Sequence, residues 1–195
     1  MNHPIHHDLG TRERLIAAVH AGLAPRYLFF WGHRTAQDGA ITKSCFSQWF
    51  EAAFVVDGTT YATAEHFMMA EKARLFADEA SRQQVLAAKT PAEAKKRGRG
   101  IQGFREDAWL DARFGIVVAA NRAKFGQNEA LGRFLLQTGT QVLVEASPVD
   151  AIWGIGLAAD DPLAVQPAQW PGLNLLGFAL MAVREALQSE VSPRK

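Results

Sequence analysis

The sequence predicts an α+β fold: a compact, helix-rich single domain that carries a small β-sheet. Three observations predict it. The chain has 195 residues, and at about 150 residues per domain that favours one domain. Hydrophobic residues make up 48% of it and charged residues 21%, a globular balance that argues against disorder. Its periodic segments are mixed, with more helix than strand, and they do not alternate strand–helix–strand. A doubly wound parallel sheet is therefore not expected.

Taken in order, residues 1–10 read as a loose tail. Its His3, His6 and His7 are either a weak metal-binding group or part of a mobile polar terminus. Residues 11–21 form a short amphipathic helix, broken by Gly22 and Pro25. Y-L-F-F-W-G (27–32) is an aromatic run of strand length. A polar stretch over 33–44 leads to C-F-S-Q-W-F (45–50). F-V-V-D-G-T-T-Y (54–61) places Asp57-Gly58 between β-formers, a hairpin signal because that turn needs positive φ.

From Thr63 the period changes to 3.6, and 64–76 reads as a helix. Thr90, Pro91 and Glu93 supply the N-cap, the first-turn proline and the capping-box acid of the next helix, which Gly98 and Gly100 end. Further helices run over 106–125 and 128–137, the latter punctuated by Gly139. Q-V-L-V-E-A-S (141–147) is a strand by alternation and β-branching. A loop rich in Gly, Pro and Asp spans 148–171, and a helix over 174–188 closes the chain.

Charge and cysteine content exclude several classes. Twenty-one Lys and Arg against 20 Asp and Glu leave a formal charge of +1. That argues against holding a nucleic-acid backbone by bulk charge, while leaving room for a local basic patch. A single cysteine, Cys45, excludes an internal disulfide and the Cys-rich zinc modules. No apolar run approaches the roughly 18 residues of a membrane span. The first ten residues have no signal-peptide core. A soluble, cytoplasmic protein without membrane association is expected.

Several polar residues stand where apolar ones belong. On a wheel of about 100° per residue, Glu65 and Lys72 both fall within the stripe formed by Met68, Met69, Leu75 and Phe76. Burying a charge costs several kcal/mol unless it is paired. The two are roughly 10 Å apart along the axis, too far for an ordinary helix-surface pair. They are snorkelling groups, a structural ion pair, or the wall of a functional cleft. Glu65 also lies in the first turn, where the helix dipole favours its ionised form. On the 106–125 helix, Leu110, Phe114, Val117, Val118 and Phe125 form one stripe. Asn121 sits inside it and Lys124 at its edge, so Asn121 is either a clamp on a neighbouring loop or a ligand contact.

Loop features add candidates. Asp150 follows a strand end in P-V-D-A-I-W-G-I-G (148–156), and Trp153 precedes two glycines. That tryptophan is either core or a ring face offered to a base or sugar. K-K-R-G-R-G (95–100) suits a phosphate or is a solvated helix end. Motifs for a P-loop, an H-E-x-x-H metalloprotease and a G-x-S-x-G hydrolase are absent. Nothing local marks Cys45 as an activated nucleophile.

Seven blocks in register resemble a known family. They are Y-L-F-F-W-G (27–32), F-S-Q-W-F (46–50), T-A-E-H-F-M-M-A-E-K-A (63–73), G-R (98–99), N-R-A-K-F-G-Q-N (121–128), L-V-E-A-S-P-x-D-x-x-W-G-I-G (143–156) and G-L-N-L-L-G-x-x-L-M-x-V-R (172–184). Together they resemble the NADAR, or YbiA-like, family across about residues 26–187. This sets residues 1–25 apart as an N-terminal extension, 26–188 as the catalytic domain and 189–195 as a C-terminal tail.

The resemblance implies a compact α+β fold and cleavage of N-glycosidic bonds. Two substrate classes come with it: phosphoribosylamino-pyrimidine intermediates of riboflavin synthesis, cleaved as metabolite damage control, and ADP-ribose on guanine bases. Partners would then be a small nucleotide or ADP-ribosyl substrate, or ADP-ribosylated DNA or RNA. Position by position, Glu65, Trp109 and Asp150 match residues tied to cleavage of the riboflavin intermediates. Lys72 matches a lysine linked to a covalent intermediate on ADP-ribosyl-guanine.

Candidate phosphate contacts are Arg99, Lys95 and Lys124. Candidate stacking rings are Trp109 and Trp153, then Phe29 and Trp31. Gly32, Ser47, His66, Asn121, Gly154 and Asn174 complete the substrate-contact set, with His66 equally suited to a structural role. In one route Glu65 stabilises an oxocarbenium-like sugar or activates water while Asp150 donates a proton. In the other, a neutral Lys72 attacks C1 of the opened sugar and forms a Schiff base. Neither route calls for a cofactor or a metal. The alternatives are a non-catalytic module that binds ADP-ribose or a nucleotide, and an antitoxin acting by direct protein contact.

Overall fold

The structure, a computed structural model, describes residues 9–191. His3, His6 and His7 lie outside them. The first helix, α1 (Arg12–His20), is capped by Thr11. Strand β1 (Tyr27–Phe30) follows, then a 3-10 turn at Lys43–Phe46 and the hairpin β2 (Phe54–Val56) and β3 (Thr59–Tyr61). Asp57 and Gly58 take φ of 48° and 74°, so both central residues occupy the left-handed region that this tight turn demands.

Five helices come next: α2 (Ala64–Leu75), α3 (Glu79–Leu86), α4 (Pro91–Arg99), α5 (Glu106–Gln127) and α6 (Glu129–Gln137). They separate β1 from its partner β4 (Val142–Glu145). After a second 3-10 turn at Pro167–Gln169, α7 (Leu175–Val191) closes the described chain.

The small sheet expected from sequence is two separate pairs. β1 and β4 run parallel, with Tyr27 opposite Val142 and Phe30 opposite Glu145, and the helices supply the long crossover that a parallel pair requires. β2 and β3 are antiparallel, with Phe54 opposite Tyr61. Strand β4 is buried on both faces. Leu143 enters the main core with Phe30, Phe46, Phe67, Phe125 and Leu180. Val142 and Val144 point the other way, into a second cluster with Leu15, Ile155, Trp170 and Phe178, as the two-residue period of a strand dictates. Helix α1 therefore packs onto the domain through Leu15. Arg12 fixes it further, its Nε donating to the Pro167 carbonyl at 3.0 Å.

Two elements differ from the sequence reading. Gly98 does not end α4 but lies inside it. A Cβ there would sit 2.1 Å from Met69 Sδ, so the glycine is what lets α4 press against α2. Helix α3 was not expected at all. Val85 is its one buried residue, and Asp78 starts it by accepting from the Ser81 amide at 2.9 Å. The apolar stripe of α5 is also shorter than expected. Val117 and Phe125 are buried while Leu110 is exposed, because the first turns of α5 run outside the core. No helix among the described residues is long and apolar enough to cross a membrane.

Candidate active site

A cleft of about 190 Å³ opens between α2, α4, the start of α5 and the loops at the ends of β4 and the first 3-10 turn. Helix α2 supplies Glu65, Met68, Met69 and Lys72. Helix α4 supplies Lys95, Gly98 and Arg99, and α5 supplies Trp109. Ser47, Gln48 and Trp49 come from the segment before β2, Glu145 ends β4, and Asp150 and Trp153 lie on the loop beyond it. The four expected catalytic residues Glu65, Lys72, Trp109 and Asp150 thus line one cavity, together with Ser47, Arg99 and Trp153 of the expected substrate contacts.

Thr63 accepts from the His66 amide and starts α2, and the Glu65 amide donates to the Gln48 carbonyl at 3.0 Å. That bond ties the Gln48 segment to the first turn of α2. Glu65 is 2% exposed, and its carboxyl is pushed up to about 7. Burial is the main cause. Lys95, a hydrogen bond from Trp49 and Arg99 oppose it, while Asp150 adds to the rise. Its Oε1 has no hydrogen-bond partner in the protein.

Glu145 was missed by the sequence reading. Burial raises its carboxyl to about 8, with Asp150 and Glu65 adding to the rise and Lys95 opposing it. Its Oε2 is likewise unpartnered. The available signal was an acid at the end of an otherwise apolar strand, on the register line of Phe30. Two backbone contacts set its place: the Glu145 amide donates to Asn174 Oδ1 at 2.9 Å, and the Ile155 amide donates to the Glu145 carbonyl at 2.9 Å.

Asp150 is held by its own loop. Its Oδ1 accepts from the Ile152 and Trp153 amides, both at 2.8 Å. Gly154 makes this possible, since a Cβ there would lie 2.8 Å from the Glu145 carbonyl oxygen and 2.9 Å from that of Asp150. Lys72 Nζ donates to the Gly98 carbonyl at 3.0 Å. It stands 4.5 Å from the Phe104 ring centre and 5.4 Å from that of Trp109. Burial lowers its pKa. Lys95 and Arg99 are four residues apart on α4, hence on one helix face.

The remaining expected contacts lie outside the cleft lining and do other work. Lys124 is a correction to the phosphate set. It is fully buried, and its Nζ donates to the carbonyls of Cys45 at 2.6 Å and Ser47 at 2.8 Å. Asn121 is a clamp: its amide donates to Gln48 Oε1 at 2.8 Å and to the Val117 carbonyl at 2.9 Å. Asn174, at φ 56°, bridges two residues of β4, accepting from the Glu145 amide and donating to the Leu143 carbonyl at 2.9 Å. His66 pairs with Thr63 Oγ1 at 2.8 Å and the Ala88 carbonyl at 3.2 Å. Gly154 shapes the loop, as above. Phe29 stacks on Tyr27 in the second cluster, Trp31 is 58% exposed, and Gly32 turns the chain after β1 at φ 82°. Among the described residues, no group of three or more His, Cys, Asp or Glu side chains is placed to hold a metal ion.

The NADAR domain model matches residues 29–188. The chain belongs to the NADAR family. It is 40% identical over 168 residues to an N-glycosidase of Acanthamoeba polyphaga mimivirus, covering 84% of this chain and 97% of that one. It is 34% identical over 142 residues to a riboflavin biosynthesis protein of Vibrio vulnificus, covering 73% of this chain but only 35% of that longer protein. The NMR structure of Escherichia coli YbiA superposes with a TM-score of 0.70 at 29% identity, covering 89% of this chain and 91% of that one. The NADAR match begins at residue 29, after α1.

Proposed function

We propose that this NADAR protein is an N-glycosidase that hydrolyses the bond between a phosphorylated ribose and an exocyclic amine of a pyrimidine, of the kind formed in riboflavin synthesis. The observation that carries the reading is the pairing of two buried carboxyls, Glu65 and Glu145, with the cations Lys95 and Arg99 in one cavity. A carboxyl whose pKa stands near 7 is able to hold and deliver a proton at neutral pH. A pair of cations on one helix face suits a phosphate. The name of the Vibrio relative supports the substrate class.

The structure favours exchanging the roles that sequence suggested for the two acids. Glu65, raised by burial, donates its proton to the leaving amine. The C1–N bond breaks, its electron pair goes to that nitrogen, and positive charge spreads over C1 and the ring oxygen. Asp150 supplies the carboxylate facing that charge. Water adds at C1 and its proton passes to the Glu65 carboxylate, which restores the acid. Trp109 and Trp153 offer ring faces for the base.

The environment of Lys72 favours a second route. Its lowered pKa raises the share of neutral amine. After ring opening, that amine adds at C1 and expels the pyrimidine amine, leaving an imine that water hydrolyses.

The test is product release followed by mass spectrometry. One arm offers the phosphoribosylamino-pyrimidine, the other an oligonucleotide carrying ADP-ribosyl-guanine. Ribose 5-phosphate from the first arm is the expected result. ADP-ribose from the second arm alone replaces the proposed substrate class with the nucleic-acid one. Silence in both arms overturns the glycosidase reading in favour of a binding module. Borohydride during turnover attaches sugar to the protein only in the lysine route.

A further inference from the structure

Gln48 is a polar side chain whose amide nitrogen the fold leaves unused. It is 5% exposed, lines the cleft, and its Nε2 has no hydrogen-bond partner in the protein. Its orientation is not free. Asn121 Nδ2 is committed to the Val117 carbonyl and also donates to Gln48 Oε1 at 2.8 Å. Rotating the Gln48 amide would set two N–H groups against each other, so Oε1 stays on Asn121 and the donor end is left over. The neighbouring position is equally telling. The Glu65 amide bonds the Gln48 carbonyl, and Glu65 Oε1 is buried and unpartnered too. Glu145 Oε2, on the same cavity wall, is the third such atom.

Leaving a buried donor or acceptor unsatisfied costs about 1–3 kcal/mol, so three in one cavity call for a ligand that satisfies them. The Gln48 N–H needs an acceptor, and the two carboxyls need partners that donate to them when ionised and accept from them when protonated. Sugar hydroxyls do both, whereas a phosphate oxygen mainly accepts and a base amine mainly donates.

We propose that Gln48, with Glu65 and Glu145, forms a subsite for the vicinal hydroxyls of a ribose, and that the Gln48 amide donates to the 2′-hydroxyl. The enzyme then acts on ribosyl and not on 2-deoxyribosyl compounds. The proposal rests on the N-glycosidase reading, which it deepens. It gives Gln48 a part in the reaction, because hydrogen bonds to the 2-hydroxyl tighten as the sugar becomes cationic. It also gives Asn121 a positioning role: by holding Oε1, it presents Nε2. The clamp anticipated for Asn121 thus acts on a substrate-binding residue.

The experiment crosses enzyme with substrate. Wild type and Gln48→Met are each assayed on a ribosylamino-pyrimidine phosphate and on its 2′-deoxy analogue. Binding of ribose 5-phosphate and of 2-deoxyribose 5-phosphate is measured by calorimetry in parallel. A site built to bond a hydroxyl rejects the analogue lacking it strongly, so wild type is expected to prefer the ribosyl substrate by at least about 100-fold in kcat/KM. Gln48→Met loses most of that preference through a drop on the ribosyl substrate alone. Gln48→Glu, which keeps the acceptor for Asn121, guards against a folding defect, and it too loses the preference.

Equal rates on both substrates in wild type overturn the proposal. So does an equal loss on both in Gln48→Met with an unchanged melting temperature. If neither substrate turns over, the binding arm still decides. A wild-type preference for ribose 5-phosphate that vanishes in Gln48→Met upholds the subsite while overturning the proposed pyrimidine substrate. No preference overturns the subsite.

Discussion

Asn121 donates its side-chain amide to Gln48 Oε1 across 73 positions of sequence. Asn121 is fully buried on α5, and the bond joins that helix to the segment that carries Ser47, Gln48 and Trp49 into the cleft. Replacing Asn121 with Leu keeps the volume close and removes both of its donor bonds. The expected cost is about 1–3 kcal/mol in chemical denaturation, the usual penalty for stranding buried polar partners. The same variant is expected to lower kcat as well as to raise KM, since it frees the Gln48 amide, whose bond to the 2′-hydroxyl strengthens as the sugar becomes cationic. A kcat and a KM both unchanged within twofold would show that the Gln48 segment is held by other bonds alone.

How much of this was legible beforehand depends on what each residue type signals alone. Glu65 and Lys72 were readable because a charge on an apolar stripe is anomalous wherever it is placed, and both line the cleft. Glu145 gave only a weak signal, an acid closing an apolar strand. It ends the burial pattern of β4 as an ordinary half-buried position, and only the pairing of β4 with β1 and the closure of the 150–156 loop bury its carboxyl. Lys124 looked like an edge residue because a wheel shows one helix. The carbonyls that receive its Nζ belong to the segment around Cys45, which local periodicity does not reveal. Gly98 looked like a stop signal. Its reason is Met69 on another helix. Helix α3 carries one buried residue, too few for a periodic signal.

The carboxyl of Glu65 sets an activity limb. Standing near 7 by burial, it is protonated below that pH and ionised above it, so kcat/KM is expected to fall as pH rises through about 7. Glu65→Gln is expected to lower kcat by about 10²- to 10⁴-fold and to abolish that limb in the residual rate. The stability effect has its own sign. A carboxyl with a folded pKa above its unfolded value near 4.3 contributes stability that is fully present below about 4.3 and lost as pH rises through the folded value. Wild type is therefore expected to lose stability between about pH 5 and 8 through Glu65 and Glu145, and the Gln variant to lose less. Urea titrations at four pH values measure this. A steeper fall in the variant would contradict the burial of Glu65.

Lys124 produces the opposite slope at higher pH. Burial lowers its ammonium to about 7, with Cys45 opposing, while the unfolded lysine titrates near 10.4. Between these values the unfolded chain binds the proton and the folded chain does not, so this group makes stability rise with pH by up to about 1.4 kcal/mol per unit. The difference between wild type and Lys124→Met over pH 8 to 9 isolates it, because Glu145, near 8, and the Cys45 thiol, pushed up to about 11, oppose the rise across this window in both proteins. Lys124→Met is expected to remove the rise and to cost about 1–3 kcal/mol through the two stranded carbonyls. Parallel stability curves for the two proteins over pH 8–9 would refute it.

Gly154 joins two acids of the cleft, Glu145 at the end of β4 and Asp150 on the loop beyond it. Its missing side chain lets the loop bring Asp150 against the end of β4: a Cβ would meet the carbonyl oxygen of Glu145 at 2.8 Å, that of Asp150 at 2.9 Å and the Ser147 Cβ at 3.1 Å. Two of those neighbours are backbone, which cannot rotate away as a side-chain tip can. The bond from the Ile155 amide to the Glu145 carbonyl and that from the Gly156 amide to the Asp150 carbonyl must both stretch to admit a methyl group. Overpacking of this kind costs about 1–3 kcal/mol. Its larger consequence is expected in the reaction, because the Asp150 carboxylate moves away from the developing cation whose charge it balances. Gly154→Ala is therefore expected to lower kcat by about 100-fold or more, the scale on which a misplacement of about 1 Å acts, while melting only a few degrees earlier. Ribose 5-phosphate should bind nearly as before, since Lys95 and Arg99 stand on α4, away from the altered loop. A variant with full kcat would show that the Asp150 loop tolerates displacement.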